Sequence, residues 1–356
     1  MYFDHAATSA VRPEVIALIA EVMAGTGNAS SVHSRGRSAR ALVERAREQV
    51  AGLVGARPQE VIFTSGGTEA NNHVLHAHAM ANDPVLVSAI EHDSVLHGVQ
   101  GVETFAVTPA GVPDLAALEG RLNTGKPGLI SLMLVNNETG VVQPVDEVAR
   151  LARAAGWTFH TDAVQAVGKL PLAMGALGVD YLSLSGHKFG GPQGVGALVL
   201  RPGMDPAPFL RGGGQERRRR AGTENVAGIT GLGLAAELAL TTPINHTALQ
   251  AQLETALREA VPGLAIVAEG SRRVSTITCA LWPKASAERL VMKFDLKGVA
   301  VSSGSACSSG KVTASHVLSA MGHAPTQAQS ALRFSTGWNT TDADIVSLAD
   351  VMRSFS

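Results

Sequence analysis

Two kinds of apolar pattern alternate along the chain. Short, continuous runs of strand-forming residues occur at 61–64, 85–89, 104–107, 129–135, 158–161, 181–184 and 195–200. Between several of them the apolar positions recur at helical spacing. In 36–54, Leu42, Val43, Ala46, Val50, Leu53 and Val54 share one face, and 68–80 and 144–155 are also helix candidates. Strands without a polar face, in succession with such helices, predict an α/β fold with a mainly parallel sheet covered on both sides. Helices over 226–240 and 246–260 follow, separated by the breaker Thr242-Pro243-Ile244-Asn245. Beyond that break the style changes. Residues 274–282 alternate like a half-exposed strand, 285–296 reads as a helix, 330–335 as a strand and 342–355 as a last helix. Thr341 and Asp344 have the spacing of a capping box for it. A smaller α+β unit at the C-terminal end accounts for this.

Composition narrows the function classes. The 356 residues suggest two units at about 150 residues each. Lys and Arg number 29 against 30 Asp and Glu, for a net charge of −1, which argues against binding by bulk charge. The 38 glycines and 4% aromatics suit an α/β enzyme with many tight turns. Two cysteines, Cys279 and Cys307, make neither a disulfide framework nor a paired zinc motif, and point to a reducing, cytoplasmic setting. The start MYFDHAAT lacks the pattern of a signal peptide, and no apolar run has the length of a membrane span.

Three turns carry candidate chemistry. Thr64-Ser65-Gly66-Gly67-Thr68 follows a strand and opens a helix, whose free N–H groups and positive dipole end suit a phosphate. It is neither a Walker A loop nor GxGxxG, and an ordinary strand-to-helix turn is an even alternative. Asp162 follows the strand at 158–161, at the sheet edge where ligands collect. Taken alone, it reads more simply as a helix cap. Lys188, in Ser185-Gly186-His187-Lys188, follows the next strand. A lysine at this edge forms a Schiff base if its amine is desolvated, although most loop lysines are solvated. Together, a phosphate turn, a carboxylate and a lysine in that order are what pyridoxal phosphate needs.

With these motifs in view, the chain resembles the cysteine desulfurases of the class V aminotransferase-like, fold-type I pyridoxal phosphate enzymes, in the subgroup with a long catalytic-cysteine loop. The matching segments are FTSGGTEANN (63–72), EHDSVL (91–96), NNETG (136–140), HTDAVQAVGK (160–169), SLSGHKFGGPQGVG (183–196), GGGQERRRRAGTEN (212–225), SSGSACSSG (302–310) and LRFSTG (332–337). The resemblance implies a large cofactor-binding domain over 16–245 and a small domain from 1–15 and 246–356. It implies Lys188 as the Schiff-base lysine, Asp162 as the partner of the pyridinium nitrogen, and Gln165 near the phenolic oxygen. Gly67, Thr68, Ser185 and His187 would hold the phosphate. His92 would stack on the ring and be available for proton transfer. Asn137 and Arg333 would position the substrate, with the Arg333 fork on its carboxylate. Thr223 would reach the phosphate in a neighbouring subunit, which implies a homodimer with shared active sites.

Cys307 stands among small polar residues and is the expected sulfur carrier, whereas Cys279 shares strand parity with Ile277 and Leu281 and is expected in a core. The implied reaction turns L-cysteine into L-alanine and leaves a persulfide on Cys307. The sulfur then passes to an acceptor protein, for iron–sulfur clusters or other thio-cofactors. Neither a membrane nor direct nucleic-acid binding is expected, and Arg217–Arg220 is ordinarily a solvated basic loop. Selenocysteine lyase is the alternative within the class. A metal-dependent hydrolase using Glu69, His73 and His76, with His78 nearby, is the alternative outside it. No metal is expected on the main reading. His5, Ala29 and Arg218 depart from the family pattern, which has asparagine, proline and a frequent glycine there. The 23 residues after Arg333 are fewer than in relatives with a scaffold-docking extension.

Overall fold

The computed structural model describes residues 1–304 and 314–355. In chain order its helices are α1 (Pro13–Ala24), α2 (Ser34–Val54), α3 (Gly67–Met80), α4 (Asp93–Leu96), α5 (Leu115–Thr124), α6 (Val145–Ala154), α7 (Met174–Leu177), α8 (Val226–Thr241), α9 (Thr247–Ala260), α10 (Ala287–Leu296), α11 (His316–Ala320), α12 (Pro325–Ala328) and α13 (Asp342–Arg353). The strands are β1 (Val61–Thr64), β2 (Val85–Ser88), β3 (Glu103–Phe105), β4 (Leu129–Ser131), β5 (Thr158–Asp162), β6 (Tyr181–Ser185) and β7 (Gly196–Leu200), then β8 (Ala265–Ile266), β9 (Ile277–Leu281), β10 (Ser302–Ser303) and β11 (Ala331–Ser335).

The first seven strands form one sheet in the order β1-β7-β6-β5-β4-β2-β3. Its ladders are parallel from β6 through β5, β4 and β2 to β3, and β7 alone runs antiparallel, between β6 and β1. The expected α/β architecture with a mainly parallel sheet is thus present. β1, β2, β4, β6 and β7 are buried along their whole length and β5 from Phe159 onward, which explains their continuous apolar runs. Helix α2 packs its Val43, Ala46 and Val50 face against α8, where Gly233 admits the Ala46 backbone.

The other four strands form an antiparallel sheet, β10-β11-β9-β8. It has a core of its own with Phe294, Phe334 and Leu348. Phe3 enters this second core, and Tyr2 and Asp4 bridge to Ala300 and Ser335. The chain start is therefore held beside β11, near the main sheet's strand ends.

Several elements differ from the sequence reading. β9 is buried on both sides, not half-exposed, because the Phe334 core covers one face and Leu281, Cys279 and Met321 fill the other. Cys279 is fully buried there, as its parity indicated, and burial pushes its thiol up to about 12. The run 129–135 leaves the regular ladder after Ser131, yet Leu132 and Leu134 still donate backbone bonds to β5. Helices α1 and α5 are additional. In α1 only Val15 is buried while Ile16 and Met23 are exposed, so its apolar positions mark no single face. The closing helix is capped as expected, with Asp344 accepting from both the N–H and the hydroxyl of Thr341.

Candidate active site

The strand ends of β1, β2, β4, β5 and β6 open on one cavity of about 320 Å³. Helix α3 starts at its wall. A side chain at Gly67 would come within 2.7 Å of Val164, so glycine is what lets the helix begin this close to the end of β5. The first N–H groups of a helix have no intrahelical partner, and those of Gly67 and Thr68 belong to residues that line the cavity beside Ser185 and His187. His187 contacts Thr8 through Nδ1 at 3.2 Å, and burial, with Lys188 second, lowers its pKa to about 4.

Asp162 is the last residue of β5. One carboxylate oxygen accepts from the Val164 N–H at 2.9 Å, the other from Asn71 Nδ2 at 2.7 Å. Lys188 comes off β6 in a short 3-10 turn, and its Nζ donates to the carbonyls of Ala6 and Ala7 at 2.6 and 2.7 Å. Gln165 donates to the Ala6 carbonyl at 2.8 Å and accepts from Lys169 Nζ at 2.7 Å. His92 caps α4, accepting through Nδ1 from the Ser94 N–H. Arg333, on β11, reaches across from the second sheet. It donates to the Asn137 carbonyl at 3.0 Å and to Asp4 at 2.9 Å, while its buried Nε has no partner among the described residues.

Gly67, Thr68, His92, Asn137, Asp162, Gln165, Ser185, His187, Lys188 and Arg333 therefore meet in one cavity. Thr223 is exposed and does not line it. Cys307 lies outside the described residues. Glu69, His73, His76 and His78 do not converge. Glu69 pairs with Arg220 at 2.9 Å, His73 meets the Ala207 carbonyl, His76 packs edge-on to Phe209, and His78 pairs with Asp83. Among the described residues no three His, Cys, Asp or Glu side chains are grouped to hold a metal. The basic run is likewise engaged: Arg219 pairs with Asp205 and Arg220 with Glu69.

Sequence reasoning missed four residues. Asn71 and Lys169 stand inside quoted motifs but had no role. Asp4 orients Arg333. Glu91 is fully buried, and its backbone N–H partner, Met133, lies 2.5 Å away. Burial, then Asp162, raises its carboxyl well above the usual range. Burial, then Lys188 and Arg333, lowers Lys169 to about 7. The one available signal was position: Glu91 precedes His92, and Lys169 follows Gln165 by one helical turn.

These groups fit pyridoxal phosphate. The helix start with Ser185 offers donors for a phosphate, the Asp162 carboxylate suits a pyridinium nitrogen, and Lys188 suits the aldehyde. The buried Asn71 Oδ1 has no partner among the described residues, and Asn71 lines the same cavity.

Comparison with known proteins agrees. The aminotransferase class-V family model matches residues 1–348. The cysteine desulfurase of Cereibacter sphaeroides is 42% identical, over 99% of this chain and 94% of that protein. The cysteine desulfurase IscS of Dictyoglomus turgidum is 38% identical, over 99% and 93%. The X-ray structure of a NifS-like protein from Rickettsia africae superposes with a TM-score of 0.93 at 34% identity, covering 99% of this chain and 98% of that one. Pyridoxal phosphate is the family's cofactor. The chain belongs to the class-V aminotransferase family, alongside its cysteine desulfurases.

Proposed function

We propose that this protein is a cysteine desulfurase that converts L-cysteine to L-alanine and carries the released sulfur as a persulfide on Cys307. The observation that carries the reading is the convergence of Lys188, Asp162, the α3 start and the guanidinium of Arg333 on one cavity. Pyridoxal phosphate, when bound, supplies an electron sink for the substrate's α-carbon. Asp162 holds a proton at the sink's nitrogen, and Gly67, Thr68, Ser185 and His187 anchor its phosphate. Gln165, oriented by Lys169, faces its phenolic oxygen. Arg333 binds the substrate carboxylate with Asn137, and Asp4 keeps the guanidinium in place. Lys188 takes the α-proton through Nζ. His92 presents its ring to the reacting molecule.

The Cys307 thiolate then attacks the substrate sulfur. A sulfur–sulfur bond forms, the substrate's carbon–sulfur bond breaks with its electron pair staying on the β-carbon, which takes up a proton, and Lys188 returns the α-proton to give alanine. The persulfide sulfur leaves to an acceptor thiol for iron–sulfur clusters or other thio-cofactors. We read 16–245 as the large domain and 1–15 with 246–356 as the small one. Thr223 then serves the neighbouring subunit of a homodimer, in the cytoplasm.

Mass spectrometry after treatment with L-cysteine tests this. One added sulfur on the Cys307 peptide and an equal amount of alanine are expected. Cys307→Ser keeps the visible absorbance of the cofactor and loses sulfide production, and Lys188→Ala loses that absorbance. Full sulfide release by Cys307→Ser would sink the mechanism.

A further inference from the structure

The wall behind His92 contains a chain of hydrogen bonds whose directions are all determined. It starts at Asp162, whose carboxylate only accepts. The neighbour at 2.7 Å must therefore be the Asn71 amide nitrogen, which sets the amide's orientation. The same Nδ2 has a second hydrogen, and Ser94 Oγ lies 2.9 Å from it. Ser94 Oγ thus accepts, and its own hydrogen remains for His92 Nδ1 at 2.8 Å. A second donor reaches that nitrogen independently. The Ser94 backbone N–H, which can only donate, points to Nδ1 at 3.1 Å. Asn72 fixes that backbone by donating to the Ser94 carbonyl at 2.8 Å. Asn71 is 1% exposed and Ser94 9%, so water does not replace these partners.

Two donors on Nδ1 require its lone pair. In the neutral ring the proton then sits on Nε2. Nδ1 is engaged by the wall, so any nitrogen contact with a molecule in the cavity runs through Nε2. We propose that Asn71 and Ser94 are positioning residues that hold His92 as the Nε2–H tautomer, making it a hydrogen-bond donor to an electron-rich atom of the reacting molecule, such as the substrate sulfur. The proposal rests on the reading above in placing His92 against the substrate. It goes further in assigning the ring one direction of hydrogen bonding. Removal of the α-proton is thereby left to Lys188.

Nitrogen-15 NMR of the holoenzyme labelled at histidine reads the tautomer directly, with His92→Asn identifying the His92 signals. We expect Nε2 in the protonated range and Nδ1 in the range of a hydrogen-bonded acceptor. Ser94→Ala removes one of the two donors, so the Nδ1 signal moves towards that of an unbonded nitrogen, and Ser94→Thr returns it. The same variant lowers kcat about 3- to 10-fold with KM unchanged, the size of one lost hydrogen bond, and Ser94→Thr restores it. A proton on Nδ1 in the wild type, an Nδ1 signal unmoved by Ser94→Ala, or an unchanged kcat in that variant would each overturn the proposal. Full desulfurase activity in His92→Asn would instead refute the placement of His92 against the substrate, and the tautomer result would stand.

Discussion

Arg218 adopts φ 68°, in the left-handed region that costs a residue with a Cβ about 1 kcal/mol or more. Its two predecessors, Glu216 at φ 46° and Arg217 at φ 57°, share that region. Glu216 has compensation, because Arg47 grips both its oxygens at 2.7 and 2.9 Å and the Phe63 N–H adds a third bond at 3.0 Å. Arg218 is exposed. The glycine that the family pattern has at this position therefore acquires a physical reason. Arg218→Gly is expected to raise stability by about 0.5 kcal/mol, strain relief offset in part by unfolded-chain entropy. The urea midpoint measures it, and a lower midpoint would show that the backbone here is not strained. His5, the departure nearest the site, is buried and contacts Ser9 Oγ at 2.9 Å, and burial lowers its pKa to about 4. His5 itself does not line the cavity, whereas the next two residues, Ala6 and Ala7, do.

Among the elements, the pair Arg47–Glu216 joins three: helix α2, strand β1 and the turn that carries the arginine run. Both side chains are buried, and Arg47 also lies over the Phe63 ring at 4.7 Å. Because β1 leads directly into the start of α3, this joint supports that helix start from behind. Glu216→Gln removes the buried partner and leaves Arg47 only the half-exposed Glu44, 3.2 Å away, with an expected loss of about 3 kcal/mol. Chemical denaturation checks the loss, and weaker retention of the cofactor in dialysis should accompany it. A loss below about 1 kcal/mol would mean that Glu44, already paired with Arg47, compensates its charge by itself. The strands were legible because full burial leaves a continuous apolar run. Helix α1 was not, since its exposed and buried apolar residues look alike, and β9 was misread because its Thr278, and Thr276 just before it, are buried despite being polar.

For the whole molecule, the buried histidines govern its behaviour in acid. His160 lies on β5 between Ser131 and Ser183, bonded at 2.8 and 2.9 Å, and burial lowers its pKa from 6.5 to about 3. Between those values the unfolded chain binds the proton and the folded chain does not, so stability falls as pH drops below about 6.5. His5 and His187 act in the same sense. Glu138, raised to about 7 by burial, acts in the opposite one, because the fold holds its proton more tightly. Comparing His160→Gln with the wild type isolates the one group. The wild type should lose about 2 kcal/mol more than the variant between pH 7 and pH 5, measured by urea unfolding. Parallel slopes would place the ring's pKa near its ordinary value.

By itself the sequence determined the alternation of strands and helices, the order of the Gly67 turn, Asp162 and Lys188, and the burial of Cys279. Each of these is a local matter: burial imprints a period, and strand-to-helix turns require particular residues. The tertiary structure decided which groups meet. Asn71 reaches Asp162 across 91 positions and Asp4 reaches Arg333 across 329. No local pattern encodes such pairs, because sheet order and the docking of the chain start beside β11 bring them together. The direction of the hydrogen bond to His92 belongs to the same class. It follows from a carboxylate, an amide, a hydroxyl and a backbone N–H drawn from three separate elements, and it exists only once those elements are packed.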